Sequence, residues 1–187
     1  MKESKPKFET RVLAEIVVLA ALSGVLYIFR PFSLPYGGAV TLGSMVPVMW
    51  LALRRGVYAG SVAGAIFGVI ALFIDIMLLG VGNIIATPVQ AILEYPIAFG
   101  VLGLAGLFHR KTLTYALIGV SISVFMKFVV HYLVGVFVWA YVYEFPPEWG
   151  QFLWPAVYNG SFLLVEFIIS AILVTALVKT GTLEYSL

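Results

Sequence analysis

Glu94, Lys127, His131 and Asn159 stand inside long apolar segments of this 187-residue chain, where polar side chains are costly and tend to be functional. Together they offer a carboxylate, an ammonium, an imidazole and an amide. A buried carboxylate needs a positive or hydrogen-donating partner. An amide both donates and accepts, which suits the edge of a pyrimidine-like ring. Lys127 and His131 are four apart, and Gly135 and Trp139 continue the stripe at the same spacing. One helix face then presents, from deep to shallow, an ammonium, an imidazole, a gap and an indole. An indole face stacks on a heteroaromatic ring or binds a cation. Gln90 lies one turn from Glu94, Tyr95 adds a hydroxyl beside it, and Pro88 and Pro96 bracket the region and are expected to distort its helix. The chemistry is that of a pocket for a cationic or protonatable aromatic molecule. The alternative is an internal network in which Glu94 pairs with Lys127 or His131.

The elements that must carry these groups follow from composition. The chain is 62% hydrophobic and 11% charged, with a mean hydropathy of +1.06, more apolar than a soluble core requires. Hydrophobic runs recur along the whole length, so residues 1–187 read as one polytopic membrane domain. The first run has a basic flank like a signal peptide but no evident cleavage site, and is taken as the first helix. Spans are expected near 12–29, 40–53, 57–79, 84–107, 113–140 and 152–178. The second is short, bounded by Tyr36-Gly37-Gly38 and Arg54-Arg55-Gly56. Lys2, Lys5, Lys7, Arg11, Arg54, Arg55, Arg110, Lys111 and Lys179 fall on one side if the helices alternate. Arg30, Asp75, Glu144 and Glu148 fall on the other. The positive-inside rule then puts both termini in the cytoplasm. The fold class is an all-α integral membrane protein of six transmembrane helices.

In that frame Glu94 lies about ten residues, or about 15 Å, in from the outer side. His131 and Asn159 lie at similar depth, so three helices line one cavity open to the outside. Glu166 is seven residues below Asn159, and a buried Lys127–Glu166 ion pair is expected to close the floor. Glu15 is expected to pair locally with Arg11. Trp149, Trp154, Tyr141 and Tyr143 form either an interfacial belt or the roof of the pocket. The loop from Arg30 to Gly38 is either a lid or a connector. Gly56, Gly60, Gly64 and Gly68 put a smooth face on the third helix, expected to pack internally. Ala20 and Gly24 on the first helix are the better candidates for docking a partner.

The formal charge is +2 and no cysteine is present, which excludes disulfides and thiolate metal sites. No metal or nucleic-acid partner is expected. There is no Walker motif, so the chain does not itself bind ATP in the P-loop manner. No HExxH or GxSxG occurs, and a Glu–His pair alone leaves an intramembrane enzyme without nucleophile or metal. Six helices without a clear inverted repeat are few for a self-sufficient transporter. A binding subunit that borrows an engine explains both absences.

The combination of Leu93-Glu94-Tyr95, Lys127 through His131, Gly135, Trp139 and Asn159-Gly160 is fairly specific. With it go Leu53-Arg54-Arg55-Gly56 and Gly103-Leu104-Ala105-Gly106-Leu107-Phe108. From about residue 9 to 178 the chain resembles the thiamin-specific substrate-binding S component of energy-coupling factor (ECF) transporters. The resemblance implies a six-helix S component in a prokaryotic plasma membrane, binding thiamin from outside. It implies association with a transmembrane coupling protein and two cytoplasmic ATPases, with ATP used by those partners and no cofactor of its own. By the same resemblance Glu94, His131, Trp139 and Asn159 contact thiamin, with Tyr95, Lys127, Trp154 and Tyr36 around them. Docking falls on the first helix at Val17, Ala20, Ala21 and Gly24. Two positions depart from the pattern: Gly38 stands where an aromatic is expected to close over the thiazolium, and Trp154 where a Tyr is usual. An S component for another vitamin or a thiamin precursor is therefore the nearest alternative.

Overall fold

The computed structural model describes residues 9–108 and 112–181. The basic residues Lys2, Lys5, Lys7, Arg110 and Lys111 lie outside these. Helix α1 spans Thr10–Ile28, α2 Val46–Arg55 and α3 Val57–Leu79. A broken helix, α4, runs over Pro88–Gly106, followed by α5 at Leu113–Phe137 and α6 at Gly150–Lys179. The protein is a helical membrane protein, and five of the six segments are long and apolar enough to cross a bilayer.

The exception is α2. The expected span 40–53 is instead a two-stranded ribbon, a turn and a ten-residue helix. Ten residues rise about 15 Å, half a hydrocarbon core. The ribbon pairs β1 (Phe32–Ser33) with β2 (Ala39–Val40), antiparallel. Helix α2 is buried from Val46 to Ala52, so it packs inside the bundle. Gly56, at φ 89°, turns the chain directly into α3, a conformation open to glycine at little cost.

The glycine stripe packs internally, as its spacing predicts. A Cβ on Gly60 would meet Ala52 and Gly103, one on Gly64 the carbonyl of Phe99, and one on Gly68 the carbonyl of Tyr95. The partners step back by four as the glycines step forward by four, so α3 and α4 run antiparallel with backbones touching. Such close approach supplies the packing that apolar burial does not supply in lipid. In the same interface Gly103 abuts Ser61; nearby, Gly106 meets the carbonyl of Ala52, and Gly119 of α5 the carbonyl of Ala105.

Helix α1 packs on this unit, and here the docking expectation fails in part. Ala20 is fully buried, and a Cβ on Gly24 would fall 2.6 Å from Ile70 Cγ2. Gly24 faces α3 and Ala20 belongs to the core, so both serve the bundle. Ala21 and Val17 are exposed. Near the start of α1, Glu15 meets Arg11 at 3.4 Å, as expected. It also receives two hydrogen bonds from Arg55, at 2.7 and 2.6 Å, which fasten α2 to α1.

Candidate functional site

Proline chemistry breaks α4 where the site lies. Thr87 caps its first turn, its side chain accepting from the Gln90 amide at 3.0 Å. Pro96 has no N–H to return to the preceding turn, and residues Leu93–Ile97 widen into a π-helical turn. The segment ends as a 3-10 helix over Val101–Gly106. The widened turn sends Glu94 and Tyr95 to different neighbours. Gln90 Nε2 donates to the Ile84 carbonyl at 3.1 Å and to Glu94 Oε2, while its Oε1 accepts from the Ala86 N–H. The fully buried Gln90 therefore locks both the irregular entry of α4 and the carboxylate below it.

A cavity of about 260 Å³ opens between α4, α5, α6 and the ribbon loop. Its lining includes every residue the sequence nominated for a ligand: Tyr36, Glu94, Tyr95, Lys127, His131, Trp139, Trp154 and Asn159. Glu94 is its centre. The Trp139 indole N–H donates to both carboxylate oxygens at 3.0 Å, and His131 Nδ1 lies 3.6 Å from Oε1. Helix α5 ends at Phe137, so Trp139 sits on a 3-10 turn rather than a continued helix face. The gap expected at Gly135 is filled by helix packing, because a Cβ there would fall 2.6 Å from Pro155 Cβ. Asn159 is buried, and its Nδ2 donates to the Pro155 carbonyl of its own helix at 2.9 Å.

The floor differs from the expectation. Lys127 and Glu166 are 5% and 3% exposed, yet no ion pair within 4 Å joins them, nor Lys127 to Glu94. The Lys127 ammonium stands 3.3 Å from the centroid of the Phe99 ring, a cation–π contact. Glu166 Oε1 accepts the Thr41 N–H, and Oε2 has no partner among the described residues. Two buried charges thus border the same space without meeting.

At the mouth, the aromatic cluster divides. The Tyr143 ring lies 5.2 Å from Trp139, nearly parallel, and 4.5 Å from Tyr36. Burial and then the neighbouring Tyr36 hold the Tyr143 phenol above its usual range, so it stays neutral. Tyr143 and Trp154 line the cavity, whereas Tyr141 and Trp149 do not, although Trp149 packs edge-on against Trp154. Tyr36 holds φ 66°, a left-handed conformation uncommon for a bulky residue and often found at ligand sites.

Sequence reasoning missed Tyr158. Its hydroxyl donates to the Pro35 carbonyl and accepts the Gly38 N–H at 3.0 Å, which ties the loop to α6. A Cβ on Gly38 would fall 2.7 Å from that hydroxyl and 3.0 Å from the Phe162 ring. The place of the expected aromatic at 38 is therefore occupied by Tyr158 and Phe162. Sequence reasoning placed Asp75 toward the outer side but missed its partners. It is 1% exposed, bonded to Arg30, Tyr27 and Tyr95. No spacing rule links positions that far apart.

The chain has counterparts among known proteins. Residues 13–184 match the model of the family described as thiamine transporter protein. The chain is 29% identical to the Thiamine transporter ThiT of Lacticaseibacillus paracasei, over 91% of this chain and 88% of that protein. It is also 29% identical to the Thiamine transporter ThiT of Bacillus subtilis, over 90% and 91%. A solved structure of ThiT from Listeria monocytogenes superposes with a TM-score of 0.77 at 27% identity, covering 92% of this chain and 96% of that one. With the family model matched over nearly its whole length and the helical arrangement shared with a solved ThiT, this multi-pass cell membrane protein belongs to the thiamine transporter family.

Proposed function

We propose that the chain is the substrate-binding subunit of an importer, taking thiamin from the outer face of the membrane. It passes the vitamin inward together with a separate coupling protein and two ATPases. The observation that carries this reading is the cavity itself. One carboxylate is held by an indole and a glutamine, an imidazole stands beside it, and an aromatic stack rises from it to the mouth. Thiamin combines an aminopyrimidine with a cationic thiazolium. Glu94 supplies an acceptor and a compensating negative charge, which a buried cation requires. The stacked faces of Trp139, Tyr143 and Tyr36 suit a flat cation. His131 and Asn159 supply donors and acceptors to the ring edges. On this reading the chain binds its ligand without turning it over, both termini are cytoplasmic, and the mouth faces outward. A reporter fused at Phe145 would be found outside; a cytoplasmic reporter would reverse the orientation.

The test is titration of the purified protein in detergent, following tryptophan fluorescence. Quenching that saturates at sub-micromolar thiamin supports the assignment. Glu94→Gln keeps the shape and removes the charge, and hydrogen bonds to charged groups contribute about 1.5–3 kcal/mol. The expected outcome is about 10- to 100-fold weaker binding with an unchanged unfolding temperature. Unchanged affinity would contradict the role of Glu94. A response to a pyrimidine precursor or another vitamin, with none to thiamin, would keep the subunit reading and replace the ligand.

A further inference from the structure

Asp75 lies behind the cavity, at the outer end of α3, and does not line it. Its Oδ2 accepts the hydroxyl of Tyr95 at 2.8 Å and of Tyr27 at 3.0 Å. Its Oδ1 takes Arg30 Nη2 at 2.5 Å. Arg30 Nε donates to the Tyr27 carbonyl at 2.9 Å, and the guanidinium covers the Tyr27 ring at 4.1 Å. Both charged side chains are buried, 6% and 2% exposed. Tyr27 and Tyr95, unlike Asp75, do line the cavity.

A phenol has one hydrogen to donate. In its ion pair with Arg30 the Asp75 carboxylate only accepts. Each tyrosine must therefore give its proton to Asp75, away from the cavity. Whatever either phenol oxygen then offers a ligand is a lone pair.

We propose that Asp75 is a positioning residue that sets the hydrogen-bond polarity of the cavity wall, making Tyr27 and Tyr95 acceptors toward the ligand and so selecting molecules that present an N–H or O–H there. The inference rests on thiamin being the ligand. Thiamin carries two such donors, the exocyclic amine of its pyrimidine and its terminal hydroxyl. Asp75→Asn with Arg30→Met releases the arrangement, because a neutral amide, free to turn its NH₂ or its oxygen to the phenols, no longer compels both to donate.

The experiment compares three ligands on the full-length protein in detergent: thiamin, oxythiamin with oxygen in place of the amine, and an analogue lacking the terminal hydroxyl. Asp75→Asn is combined with Arg30→Met so that no unpaired charge is buried. The unmodified protein is expected to prefer thiamin over one analogue by about tenfold or more, the equivalent of one hydrogen bond. The analogue disfavoured names the donor being read. In the double variant that preference should fall to about threefold or less, and Tyr95→Phe or Tyr27→Phe should reproduce the fall. Proportionate weakening of all three ligands would mark Asp75 as merely structural and overturn the proposal, as would no preference in the unmodified protein. Should the double variant not fold, the tyrosine variants decide. A preference kept in both overturns the proposal; one lost in either supports it. An unmodified chain that binds no thiamin overturns the ligand assignment and this proposal with it, a result distinct from a lost preference.

Discussion

The two ends of the helical bundle use the same segments in opposite ways. At the end carrying Glu15 and Arg55, backbone lies on backbone: Gly60 on Gly103, Gly106 on Ala52, Gly119 on Ala105. At the other end the same helices separate around a cavity bordered by Glu94, Lys127, His131 and Glu166. The contrast lies in residue size as much as polarity. Four-residue glycine spacing brings α3 onto α4 as far as Tyr95, and there the prolines of α4 replace close packing with an irregular turn. Stability is not uniform within a protein, and binding regions are drawn from its less stable parts. A tightly packed end lets the other end keep costly buried charges.

The largest effect should follow from disturbing the packed end. Gly64→Val puts a branched side chain into the carbonyl of Phe99. Overpacking costs about 1–3 kcal/mol, occasionally more, and backbone on both sides leaves little room for adjustment. The expected outcome is a lowered unfolding temperature in detergent and a smaller yield of folded protein. Gly82 has no neighbour within 4 Å, so Gly82→Val should leave the transition unchanged. Equal stability of both variants would break the comparison between the two ends.

At the open end the effect should fall on binding. Trp139→Phe removes the donor to both oxygens of Glu94 and keeps an aromatic face toward Tyr143. The predicted result is thiamin affinity lower by about 10- to 100-fold, the scale of a hydrogen bond to a charged group, with little change in unfolding temperature. A matching fall in stability would mean that the indole holds the fold rather than the ligand.

A smaller effect is expected at the junction of α1 and α2. Arg55→Lys keeps the charge near Glu15 but loses the forked pair of hydrogen bonds. Both side chains are about one-fifth exposed, and exposed pairs contribute about 0–1 kcal/mol. A stability loss within that range and unchanged thiamin binding are expected, by thermal melting and titration. Weakened binding would show that the packed end is not independent of the site.

Much of this division was legible in the sequence, and its limits are physical. Polar groups in apolar segments mark themselves, and helical rise converts position into depth, so Glu94, His131 and Asn159 could be brought to one cavity by counting. Glycines four apart predicted the α3 face correctly. The same rule misled for Ala20 and Gly24, because spacing defines a face and does not say what covers it. Flanking glycines and arginines marked the second segment as short, but hydropathy could not show that its first residues form a ribbon, which is as apolar as a helix end. The partners of Asp75 escaped notice because they come from α1, the turn after it and α4, which only the tertiary fold brings together. Nothing in spacing singles out Tyr158, since a tyrosine near a membrane interface has an ordinary explanation in the aromatic belt.

The Lys127–Glu166 pair is the subtlest case. Sequence position placed both on the cavity floor, and both are there, but the ammonium rests on Phe99 while the carboxylate takes the Thr41 amide. A direct buried pair would couple strongly, and breaking it would cost about 3–5 kcal/mol. Opposite charges held by different neighbours still attract, but should couple less than a direct pair. A double-mutant cycle of Lys127→Met and Glu166→Gln on the ligand-free protein, read by thermal unfolding, is therefore expected to give a coupling below about 3 kcal/mol. Repeating the cycle on thiamin binding sharpens the point. If the ligand offers Lys127 an acceptor and the free Oε2 of Glu166 a donor, the coupling grows in the bound state. Strong coupling without ligand would restore the ion pair, and the floor of the cavity would then be a structural closure rather than part of the site.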